Sequence, residues 1–229
     1  MIELLPDYFF HIPASSTGKY HPSYSLGEGG LLRHTKAAVR IGYELLQDPC
    51  IGNKYKDSEK DIIKDLDKKI NDIDSYYVSG NLELVNNDDV YHYDVEVGYE
   101  KDQYRVSLTN TANNHTQVIL KNEDGVYVVT PSLNKSFKFQ SDWPYSNSQI
   151  YLLEAIVRDI QDDDERIFKE TKNGYTFMTS VNYPNNRDLV KQKVTLSKKL
   201  KIKKVEVYNS DSVICMTMNF KKIDYSPSF

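Results

Sequence analysis

From about Tyr76 onward, apolar and polar residues alternate with period two in short runs separated by polar turns, the signature of half-buried strands. The spacing predicts strands over 76–85, 90–99, 104–111, 115–121, 126–130 and 136–140, and again over 168–170, 175–183, 190–196, 202–208 and 213–220. The links between them, such as Asn86-Asn87-Asp88-Asp89, Glu123-Asp124-Gly125 and Lys172-Asn173-Gly174, suit antiparallel hairpins.

Helical periodicity occurs in three places. Leu31, Ala38, Ile41 and Leu45 share a face, and Asp48-Pro49 and Gly52 are read as its stop. Ile62, Ile63, Leu66, Ile70 and Ile73 form a second stripe, with Asp57 or Ser58 as the expected N-cap. Ile150, Leu153, Ile156, Val157 and Ile160 form a third, capped by Ser146 or Ser148, and this helix interrupts the strand series. The resulting expectation is an α+β fold: a strongly curved antiparallel sheet of about eleven strands with one covering helix, preceded by a small helical segment. The expected division is a helical unit over 1–57 and the curved-sheet domain over 58–229.

Composition sharpens this in one respect. Eighteen tyrosines against one tryptophan and eight phenylalanines favour pleated, half-wet surfaces over helix bundles. The net charge of −4 leaves no large basic field, so nucleic acid is not an expected partner. The lysines from Lys198 to Lys204 alternate with apolar residues as an edge or outer strand would. Cys50 and Cys215 are isolated, with no metal-ligand spacing. The N-terminal stretch MIELLPDYFFHIP has no basic region, uninterrupted apolar stretch or following lipid-accepting cysteine, and taken literally it reads as cytoplasmic.

The runs YYVSGNLEL (76–84), YDVEVGYEKDQYRVSLTN (93–110), NHTQVILKNEDGVYVVTPSLNKSFKFQSDWP (114–144) and YPNNRDLVKQKVTLSKKLKIKKVEV (183–207) carry a resemblance. Over about residues 60–229 the chain resembles the LolA-like lipoprotein-carrier superfamily, in its sporulating-bacterium branch of GerS-like germination lipoproteins. The resemblance implies a half-barrel sheltering a helix, a place in the cell envelope, and binding of a lipoprotein acyl chain or a protein partner, with a homodimer among the expected assemblies. It stops at Phe229, before the superfamily's usual last strands, which predicts an unpaired edge there. Residues 5–60 resemble instead the start of an HD-domain phosphohydrolase through HIPASSTGKYHPSYSLGEGGLLRHTKAAVRIGYELL (11–46). In that family a histidine placed like His34 ligates a metal, but this chain contains no His-Asp dipeptide to complete the site. A natural fusion and an accidental joining both fit this mosaic.

No catalytic set can be ordered along the strands, where only His92 and His115 occur. The acidic run Asp162–Glu165 lacks the alternating ligands of a calcium loop and reads as a solvated helix end. Binding without catalysis and without a cofactor is therefore expected, with the phosphohydrolase as the alternative. In the architecture the LolA-like resemblance implies, the candidate apolar groove comprises Val118, Leu120, Val126, Val128 and Phe137 on the strands, with Trp143, Tyr151, Leu153 and Ile156 on the turn and helix above them. His34 is the candidate metal ligand, in an incomplete site.

Overall fold

The computed structural model describes residues 49–86, 89–139, 148–183 and 186–228, with side chains from residue 58. The fold is α+β, as its residue pattern predicts. One open sheet of 11 antiparallel strands carries two helices among the described residues. Helix α1 (Pro49–Asn71) leads into β1 (Ser75–Asn86), β2 (Asp89–Glu100), β3 (Gln103–Asn110), β4 (Thr116–Asn122), β5 (Gly125–Thr130) and β6 (Lys135–Lys138). Helix α2 (Leu153–Asp162) follows, then β7 (Ile167–Thr171), β8 (Gly174–Ser180), β9 (Leu189–Ser197), β10 (Ile202–Asn209) and β11 (Ile214–Asp224).

Two meanders meet at the middle of the sheet. The spatial order β6-β5-β4-β3-β2-β1-β11-β10-β9-β8-β7 puts the last strand between β1 and β10. The unpaired edge predicted at the chain's end is therefore absent: β11 is bonded on both sides, and the edges are β6 and β7, from the middle of the chain. The lysine-rich strand, β10, is interior rather than an edge. Its Lys204 points to the outer face, where it and Lys193 flank Glu206 at 2.6 and 3.7 Å. At the central junction the register shifts between Ser79 and Gly80. Gly80 is required there, because a Cβ would run into the carbonyl oxygen of Asn219 on β11.

The strands bury one face. In β1 the burial alternates strictly, with Tyr76, Val78, Leu82 and Leu84 pointing inward. Their register partners Tyr99, Val97, Tyr93 and Tyr91 continue the same face, which reaches Val106 and Ile119 on one wing and Val205, Val194 and Phe177 on the other. Both helices pack on this concave face, where Leu66 and Ile70 of α1 join one hydrophobic core with α2.

The expected cap at Asp57 or Ser58 is not a helix start, since α1 runs continuously through both from Pro49. Pro49 and Gly52, read as breakers, lie in its first turns, where a proline has no intrahelical bond to forfeit. The helix expected over 31–46 lies outside the described residues.

Candidate functional site

A chain that leaves the sheet at β6 and re-enters at the opposite edge, β7, has to traverse the sheet, and α2 makes the helical part of that crossing. Leu153, Ile156, Val157 and Ile160 have zero exposure and Ala155 has 3%, so the helix is buried on more than one side. One side meets the sheet. Another meets α1, with Arg166, just past α2, bonding Glu59 of α1 at 2.8 Å.

Two carboxylates enter this apolar seam from α2. Glu154 sits at the helix start and accepts a 2.5 Å hydrogen bond from the hydroxyl of Tyr76 on β1. The same phenolic oxygen accepts the Leu153 N–H at 3.3 Å, satisfying one of the unpaired donors of the first helical turn. The Tyr76 ring stacks on Tyr99 at 4.7 Å and 6°. Tyr99 in turn donates to Asp102 at 3.0 Å. Burial pushes the Glu154 carboxyl above its ordinary range, against the opposing pull of the Tyr76 bond and of the Lys121 and Arg158 charges.

Asp159, a turn and a half further on, meets a less complete environment. Gln192 on β9 donates to it at 3.0 Å, Ser148 bonds it, and Arg158 lies 3.6 Å away. Burial nevertheless raises its pKa from 3.8 to about 6. Around it three buried oxygens have no hydrogen-bond partner among the described residues: Gln192 Oε1, Thr179 Oγ1 and Tyr183 Oη. Thr179 and Gln192 are register partners on β8 and β9, and both face inward, at 1% and 0% exposure. Ser148 does not cap α2. Leu152 holds that position without a side-chain bond, while Ser148 exchanges backbone and hydroxyl bonds of 2.9 Å with Asn182, pinning the approach to α2 onto the end of β8.

The residues expected to line a groove separate into three groups. Tyr151, Leu153 and Ile156 are buried at 1%, 0% and 0%, and Val126 and Val128 lie on the concave face at 5% and 7%. Val118 and Leu120 were expected beneath the helix, but they point the other way. Register pairs them with Ser107 and Arg105, whereas Val106 and Leu108 face the core opposite Ile119 and Gln117. The unbroken Val-Ile-Leu run of β4 carries no alternation, so its sequence leaves the inward face undefined. Phe137 shares the register of Val128 but sits on edge strand β6 at 59% exposure. Trp143 and His34 lie outside the described residues.

The polar side chains under α2 escaped the sequence reading, although a signal was present. Gln192 occupies the inward phase of Val194 and Leu196, and Thr179 that of Tyr175 and Phe177. A polar residue in the apolar phase marks a buried polar contact. Among the described residues no group of His, Cys, Asp and Glu is arranged to hold a metal ion, and no helix is long and apolar enough to cross a membrane.

Comparison with known proteins places this geometry in context. No family model matches the chain. It is 37% identical over 174 residues to the sporulation protein YdcC of Bacillus subtilis (strain 168), a match covering 75% of this chain and 52% of that protein. The chain thus spans about half the length of this curated relative. Among solved structures, the complex of the Clostridioides difficile CwlD amidase with the GerS lipoprotein matches with a TM-score of 0.45 and 20% identity, covering 73% of this chain and 95% of the matched chain. A LolA superfamily protein from Nitrosomonas europaea matches with a TM-score of 0.36 and 13% identity, covering 74% and 94%.

Proposed function

We propose that the half-barrel, over residues 58–229, is a non-catalytic binding module that acts in sporulation at the bacterial cell envelope and engages a protein partner. The observation that carries this reading is the 37% identity to a sporulation protein over 174 residues.

Packing favours a protein over an acyl chain as the occupant. An acyl carrier needs an apolar gap between helix and sheet. Here Leu153, Ile156 and Ile160 of α2 have zero exposure, and Val97, Val106 and Val205 of the concave face likewise. That burial supports packing by the chain's own side chains, rather than by an acyl chain, between helix and sheet. A partner meets instead the outer surface and the two open edges, where Phe137 on β6 and Ile167 on β7 are 59% and 63% exposed. Extended segments add to such edges through backbone hydrogen bonds.

The test is a chimera in which this chain's matching stretch replaces that of the Bacillus relative in a strain lacking the relative. Restored heat-resistant spore counts support the sporulation role; counts no better than the deletion overturn it. Titration with a diacylated lipopeptide separates the two occupants. The protein-partner reading expects no saturable binding, and stoichiometric uptake overturns it in favour of acyl carriage.

A further inference from the structure

The three unpartnered oxygens under α2 are not scattered. Thr179 and Gln192 oppose each other across β8 and β9, facing inward. Gln192 is bonded through its amide nitrogen to Asp159, so its oxygen remains beside the same carboxylate. Tyr183 continues the chain four residues beyond Thr179, and the Asp159 charge acts on its buried phenol. The group lies between the second half of α2 and the β8–β9 hairpin.

A buried polar atom left without a partner is costly, and native proteins rarely tolerate several together. The chemistry of these atoms specifies what would satisfy them. Gln192 Oε1 and the Asp159 carboxylate accept only, whereas the Thr179 and Tyr183 hydroxyls both donate and accept. A small neutral group with two donors and two acceptors meets that set, and two to four polar partners are what an internal water requires.

We propose that this nest is an internal hydration site, in which ordered water bridges Asp159 and Gln192 of one side to Thr179 and Tyr183 of the other and joins α2 to the β8–β9 hairpin. The site makes the second half of the helix a wet seam, while its first half is held by the direct Tyr76–Glu154 bond. It is independent of which partner the module binds. The raised pKa of Asp159 is consistent with a carboxylate deep in the seam whose burial outweighs the opposing pull of Ser148, Arg158 and Gln192.

The signature of internal water is a long residence time, read by oxygen-17 magnetic relaxation dispersion on the purified chain. Thr179→Val and Tyr183→Phe each remove one polar atom at nearly constant shape, so if either fails to fold the other still reports. The expected result is a dispersion amplitude lower in the variant than in the parent by at least one long-lived water, with a Tm lower by a few degrees. An unchanged amplitude overturns the proposal. So does a Tm that rises, because relief of a dry, unpaired oxygen stabilises, whereas removal of a hydrogen-bonded one does not.

Discussion

The two ends of α2 hold the same kind of group under the same helix, yet they are built differently. At the first turn Glu154 is met by a phenol aimed at it, and that phenol also takes the Leu153 N–H, so each partner answers the other. At the far end Asp159 is surrounded by residues that bond it in part and leave three oxygens over. The difference follows from the strands beneath. Central strands β1 and β2 supply a stacked tyrosine pair from fully paired backbone, while the β8–β9 hairpin lies next to the sheet edge at β7 and supplies short polar side chains. A carboxylate in a protein interior is tolerated when its partners are preorganised, and the central sheet provides this better than its margin.

Removing what the two ends share sets the scale. Ile156 lies between them with zero exposure, and Ile156→Ala is expected to cost about 4 kcal/mol, as a cavity left in a packed core does. Urea unfolding followed by circular dichroism reads this, and a loss below about 1 kcal/mol would show that α2 is not the wedge described.

Acidity acts most clearly at the Asp159 end. Its folded pKa, about 6, lies above the ordinary 3.8, so its contribution is present in full below 3.8 and lost as pH rises through about 6. Stability is therefore expected to fall between pH 4 and 7 by up to about 3 kcal/mol from this group. Asp159→Asn should flatten that part of the profile. A profile identical in parent and variant would mean that Asp159 is solvated.

At the other end, Tyr76→Phe deletes the Glu154 partner and keeps the ring stack, with an expected cost of about 2 kcal/mol and a further rise in the Glu154 pKa. Carbon-13 NMR titration of the glutamate carboxyl checks the second part; an unmoved titration breaks the contrast between the two ends. The smallest effect is expected from Arg166→Ala, which frees the exit of α2 from Glu59 on α1 at a cost of about 1 kcal/mol or less, measured by the same unfolding experiment.

How far the residues announced all this varies by element. Strand β1 was legible because Tyr76, Val78, Leu82 and Leu84 recur with period two, and the period survives into the burial of the strand. The β4 strand was legible as a strand but not by face, since Val118, Ile119 and Leu120 are apolar on both sides. The burial of Leu153 and Ile156 was legible from helical spacing, whereas that of Tyr151, ahead of the helix, was expected from the family resemblance alone. The polar half did not, because Asp159, Thr179 and Gln192 are ordinary surface residue types until the register turns them inward.

Local physics thus determined which segments of this protein are strands, which is the covering helix, and that the sheet would be antiparallel, because period, turn residues and helix spacing are written over a few neighbouring positions. Pairing of the first and last strands, the edges at β6 and β7, and the two unlike carboxylate environments under α2 were decided only in three dimensions. Each depends on residues 33 to 147 positions apart meeting through backbone register and burial, and nothing in a local pattern encodes which distant partner a strand or a carboxylate will find.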